Sequence, residues 1–305
     1  MLADLLQNTL DGLAQGATYA LLALGFTLIF GVLRRANLSY GAAIMFGAYC
    51  ATWASLRFQS GLLVLALVTI AGAVLAGAYV ERLCFAPHNA RGLRPGNAAI
   101  ASMVASFALW MQFEEIVTLW MPQHLYAFPA LYEGAALDIG TLTLGGPLTL
   151  RVESLITLAC ATAICAALWL ILYRTRFGLA VRAVIDEPGA AGLSGINVSW
   201  VLIRVFALAS AIGGLAGYLV VATHGQVTPM LGMWSTLKGM LAMMIGGLGS
   251  LPGAIVGGLV LGLVEAHTQW FLGPQSRDLV SYLLLFVLLA VHPAGLWPRS
   301  KPVET

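Results

Sequence analysis

Five ionisable side chains interrupt stretches that are otherwise apolar: Glu114 and Glu115, Lys238, Glu265 and His267. Charge inside a membrane-spanning stretch is costly, so such groups are informative. A proton relay would need acids and a histidine strung together at bilayer depth, and no complete chain of that kind is present. The charges lie instead toward the ends of their stretches. Glu114 and Glu115 sit two-thirds along 98–121, Glu265 and His267 near the outer end of 251–270, and Lys238 at the opening of 236–249. That placement favours interfacial or ion-paired roles over a relay. Enzyme chemistry has less support still. There is no G-x-S-x-G, no H-E-x-x-H and no metal-spaced His/Cys set. A phosphate-binding P-loop needs Lys followed by Ser or Thr, and the two lysines precede Gly239 and Pro302. ATP-driven work would therefore need an ATPase on another subunit.

The elements that must position these residues follow from composition. The chain has 305 residues, 60% hydrophobic and 9% charged, against about 25% charged in soluble domains. A bilayer supplies the apolar surroundings such a chain requires. Nine stretches have the length and character of membrane helices or nearly so: 10–33, 37–56, 61–80, 98–121, 153–173, 200–222, 236–249, 251–270 and 279–297. The seventh is short and meets the eighth through Gly246 to Gly253, so 236–270 reads as a helical hairpin or a broken helix. Asp4 and Asp11 stand where a signal peptide would be basic, and the run Leu13 to Leu33 is too long for one, so the first stretch reads as a retained span. Cys50, Cys84, Cys160 and Cys165 fit neither a zinc site nor a disulfide framework and read as small hydrophobes. No basic block suits nucleic acid.

Arginines orient the array. Arg34, Arg35, Arg82, Arg91, Arg94, Arg174, Arg176, Arg182 and the tail residues Arg299 and Lys301 fall in connections that nine crossings put on one side. The 122–152 loop, with Glu133 and Asp138, falls on the other. The N-terminus is then outside and the C-terminus cytoplasmic.

Glycines recur at fixed spacing. Gly249, Gly253 and Gly257 are four apart, as are Gly258 and Gly262, Gly12 and Gly16, and Gly213 and Gly217. Such spacing predicts one small helix face that admits another backbone, either at a static contact or along a moving pathway. Gly12-Leu13-Ala14 and Gly214-Leu215-Ala216 share a faint echo suggestive of an inverted repeat. In the 174–199 connection, Asp186 and Glu187 precede Pro188, and Gly195 follows Ala190, Ala191 and Leu193. This order predicts a short helix over 186–195 with a small apolar face, placed either to dock in a groove of another protein or simply to connect spans.

Several of these stretches resemble, jointly and over nearly the whole chain, the LivH-like permeases of branched-chain amino-acid ABC importers. The opening Gly12 to Gly25 with Phe30-Gly31 is similar to that family's first span. Arg174 to Asn197 resembles its ATPase-docking loop. Leu237-Lys238-Gly239 and Ile245 to Ala254 resemble its glycine-rich signature, and His292 to Trp297 its closing Arg-Pro-x-Gly-Leu-Phe pattern. Two departures stand out: Tyr40 takes the place of a usual histidine after Asn37, and His292 that of an arginine.

The resemblance implies an all-α bundle of about eight to ten transmembrane helices in a bacterial inner membrane. It implies a second homologous permease, two cytoplasmic ATPases that use ATP, and a periplasmic solute-binding protein, with no cofactor in this chain. Asp186, Glu187, Pro188, Ala190, Ala191 and Gly195 are the expected ATPase contact. Asn37, Ser39, Tyr40, Gly246, Gly247, Gly249 and Gly253 are the expected pathway residues. Branched-chain or related amino acids are the expected substrate. Urea or short amides are the alternative within the same class, and a self-sufficient transporter or channel is the alternative outside it.

Overall fold

The computed structural model describes residues 2–33, 37–58, 60–85, 95–123, 125–130, 141–143 and 149–297. Arg34, Arg35, Arg91, Arg94, Glu133, Asp138, Arg299 and Lys301 lie outside the described residues. Among those described, every one of the nine apolar stretches is a helix: α1 (Leu2–Leu33), α2 (Tyr40–Phe58), α3 (Leu62–Val80), α4 (Pro95–Trp120), α5 (Val152–Arg174), α8 (Val198–His224), α9 (Met230–Gly246), α10 (Leu251–Leu272) and α11 (Arg277–Val291). Two short helices, α6 (Arg176–Asp186) and α7 (Pro188–Leu193), occupy the 174–199 connection. A π-helical turn, Glu81–Phe85, extends α3, and a 3₁₀ turn, Pro274–Ser276, precedes α11. Seven of the helices are long and apolar enough to cross a membrane; α2 and α9 are not among the seven. Short strands pair Tyr126–Ala127 with Gln226–Val227 and Thr141–Thr143 with Thr149–Arg151.

Local chemistry sets the helix ends. Asn197 accepts from Trp200 N at 3.1 Å to start α8, and Gly225, at φ +67°, ends it. Ser250 accepts from Gly253 N at 3.2 Å to start α10, with Pro252 in its first turn. Between α9 and α10 the chain reverses through Gly247 and Gly249, at φ +117° and +77°. The hairpin reading of 236–270 therefore holds, and one detail of the glycine pattern is corrected. Gly249 is a left-handed turn residue ahead of α10, so only Gly253 and Gly257 share the helix face.

The chain forms two compact units. The first comprises residues 1–27, 130–164 and 237–305, and the second 28–129 and 165–236. In the first, a Cβ on Gly16 would lie 2.9 Å from Leu259 Cα, one on Gly258 at 2.3 Å from Ala20 N, and one on Gly262 at 2.3 Å from Gly16 Cα. The α1 and α10 backbones therefore meet through the two predicted glycine pairs. A Cβ on Gly253 would run into Gly246 O and one on Gly257 into Ala242 O, so α9 and α10 come together in the same way.

In the second unit, α2, α3 and α8 pack on one another. A Cβ on Gly47 would meet Thr69 O at 2.4 Å, and one on Gly214 would meet Ala73 Cβ at 2.9 Å. Gly213 lies against Tyr40 and Gly217 against Ile44. Lipid gives no hydrophobic force between helices, so close backbone approach and dispersion carry this packing.

Candidate functional site

Within the first unit, α1, α9 and α11 bring four polar side chains to Glu265 of α10. The Glu265 carboxylate is fully buried and accepts from four donors: Lys238 Nζ at 2.5 Å, Arg277 Nε at 2.7 Å, Tyr19 OH at 2.7 Å and Ser281 Oγ at 2.8 Å. Lys238 Nζ also donates to Asp278 Oδ1 at 2.6 Å. Arg277 donates in addition to Tyr19 OH, which accepts from Gln15 Nε2 at 2.9 Å as well. Two cations balance two carboxylates. Lys238 and Glu265 are withdrawn from solvent, while the Asp278 side chain is 65% exposed. A buried carboxylate with four donors meets the requirement that buried charge be paired and its lone pairs satisfied.

The pairing role read for Lys238 and Glu265 is the one the structure matches. His267 stands apart, with Nε2 3.4 Å from Thr9 Oγ1. Glu114 and Glu115 are exposed on α4. The sequence reading did not connect Arg277, Asp278, Ser281 and Tyr19 to this cluster. The available signal was spacing: 277, 278 and 281 fall on one face of a helix.

The residues expected along a pathway divide between the units. In the second unit, Asn37, Ser39 and Tyr40 are all buried. Asn37 Oδ1 accepts from Ser39 N (3.1 Å) and Ser39 Oγ (2.8 Å), which tightens the turn into α2. Leu38 N donates to Ser106 Oγ at 3.2 Å. Tyr40 OH donates to Ala209 O at 3.1 Å, and its ring fills the space left by Gly213. In the first unit, Gly246, Gly247 and Gly253 lie at backbone-to-backbone approaches, Gly247 against Trp297 O. A recess of about 240 Å³ in the second unit is lined by Val220, His224, Gln226, Thr228, Met230, Leu231 and Trp234, and by none of the expected pathway residues.

The expected ATPase contact is also redrawn in detail. Asp186 ends α6, Glu187 caps α7, and the short helix runs only from Pro188 to Leu193. Gly195 follows at φ +84°. Ala190 and Leu193 face outward, Leu193 at 93% exposure, whereas Ala191 is buried and turns inward. The small apolar face is therefore Gly189, Ala190, Gly192 and Leu193. Gly178 makes the corner beneath it: a Cβ there would lie 2.2 Å from Leu172 O, so α6 can turn sharply off α5. Thr175 caps α6 by accepting from Gly178 N at 3.1 Å, and the Arg182 guanidinium stacks 5.2 Å from the Tyr173 ring.

Comparison with known proteins agrees with this architecture. The family model described as "Branched-chain amino acid transport system / permease component" matches residues 8–291. The high-affinity branched-chain amino acid transport system permease protein LivH of Escherichia coli (strain K12) is 30% identical over 304 residues, covering 97% of this chain and 96% of the relative. The ribose import permease protein RbsC of the same organism is 26% identical, covering 94% and 85%. Among solved structures, an inward-facing metal-chelate type ABC transporter superposes with a TM-score of 0.53 at 17% identity, covering 94% of this chain and 85% of that one.

Proposed function

Because the chain belongs to the family of branched-chain amino acid transport permease components, we propose that it is the translocation subunit of an ATP-driven importer for branched-chain or related amino acids. It works in a bacterial inner membrane beside a second, homologous permease. Two cytoplasmic ATPases bind and hydrolyse ATP, and a periplasmic binding protein delivers substrate. Transport proceeds by alternating access, which requires that nucleotide-bound ATPases contact the two permease states differently. The 81–97 and 174–199 connections and the C-terminus face the cytoplasm.

The observation that carries this reading is α7. A six-residue helix that presents Gly189, Ala190, Gly192 and a 93%-exposed Leu193 has little side-chain bulk and one apolar knob. That shape suits insertion into a cleft of a soluble subunit, and the local run resembles the docking loop of the LivH-like family. The test is reconstitution of the chain with its permease partner, ATPases and binding protein. Leucine-stimulated ATP hydrolysis and uptake are expected with wild type, and loss of both with Leu193→Arg. Substrate-driven uptake by the lone chain would favour a self-sufficient transporter instead.

Substrate choice has a second reading. The similarity to a ribose permease supports a sugar as the alternative cargo. Competition of uptake by leucine, ribose and urea separates these cases.

A further inference from the structure

α11 is attached unusually. Only 6% of its apolar stretch is buried. Its outward side carries Leu279, Leu283, Phe286 and Val287, and its inward side Leu284, Leu285, Leu288 and Leu289. The two sides are chemically alike. In lipid, where tails are as apolar as leucine, hydrophobicity gives no reason for one to face inward. At the far end, Leu296 N and Trp297 N donate to Ile245 O and Gly246 O, both at 2.9 Å. Those bonds come five residues after the helix and fix where the chain goes, not how the helix is turned.

What distinguishes the sides is polar. Arg277, Asp278 and Ser281 share one face of the first turns, and all three reach across, Arg277 and Ser281 to Glu265 of α10 and Asp278 to Lys238 of α9. That face continues through Leu284, Leu285 and Leu288.

We propose that the Arg277–Asp278–Ser281 triad is a rotational key: its engagement with Lys238 and Glu265 selects the face that α11 turns inward, and this orientation is lost when the key is removed. Buried ionic groups can specify register even where they add little net stability, and a helix set this way can be released by breaking a few polar contacts without unpacking the glycine-bound trio α1, α9 and α10.

The experiment uses the full chain, with its native cysteines replaced, in lipid bilayers. Spin labels are placed singly from Tyr282 to Leu289, and accessibility to oxygen, which partitions into lipid, is measured at each. The native background should oscillate with helical period, with minima at 284, 285, 288 and 289. In Arg277→Leu/Asp278→Leu, which leaves the Lys238–Glu265 pair intact and adds no net charge, the oscillation should be lost. Persistence of the oscillation in the same phase would show that packing orients α11 and would overturn the proposal. If that variant does not insert, Lys238→Met/Glu265→Gln is scanned instead, with the same two outcomes. Leu283→Ala, on the outward side, should leave the pattern unchanged.

Discussion

Lys238 Nζ lies 2.5 Å from Glu265 Oε1, and neither side chain reaches solvent. Breaking such a pair from one side strands a buried charge. Glu265→Gln leaves Lys238 and Arg277 facing each other across a neutral amide, and should cost about 3–5 kcal/mol. Lys238→Met in the same chain removes one stranded cation and should recover a large part of the loss. Thermal unfolding of the four chains in detergent, read as a double-mutant cycle, measures the coupling. Additive losses would mean that the two side chains do not stabilise each other.

Glycine substitutions should sort by what a Cβ meets. Gly258→Ala and Gly253→Ala place a methyl against the backbone of Ala20 and of Gly246. Overpacking of this kind costs about 1–3 kcal/mol. Gly192→Ala, with open space around it, should be neutral. Gly249→Ala should destabilise for a different reason, its φ of +77°. The yield and melting temperature of the purified protein report all four.

The two alanines of α7 should behave differently. Ala191→Arg forces bulk into a buried position and should lower the yield of folded permease. Ala190→Arg, on the outward side, should leave the permease folded while weakening ATPase association in pull-down. Equal effects on folding would mean that α7 has no free face.

Orientation is testable by labelling. In a cysteine-free background, Gln226→Cys should react with an impermeant maleimide from outside intact cells, and Asp186→Cys only after lysis. Both side chains are exposed in the protein itself. Labelling of Asp186→Cys from outside would invert the assigned topology.

Tyr40→Phe removes the hydrogen bond to Ala209 O and should cost about 1 kcal/mol. Tyr40→His restores the residue usual in the resembling family but leaves Gly213 and Ile44 poorly filled. It should destabilise more than Phe, and any change in substrate preference appears as altered competition in uptake.

Apolar length alone marked every long helix, because a span must satisfy its own backbone and the signal is local to some twenty residues. Spacing by four likewise marked Gly12, Gly16, Gly258 and Gly262 as contact positions, although not which glycine would meet which. The extent of α7 was approximate from residue order, since Pro188 and Gly195 punctuate it. That Ala191 turns inward depends on how α6 folds back at Gly178, and no local pattern records that corner. The charge cluster is the clearest case of information held elsewhere. Tyr19, Lys238, Glu265 and Arg277 come from four helices and are separated by up to 258 residues. A lone acid or lysine in an apolar stretch states only that a partner is needed. Which partner it finds is settled when the helices pack, because a charge pair reaches a few ångströms while the chain between its members is free to run anywhere.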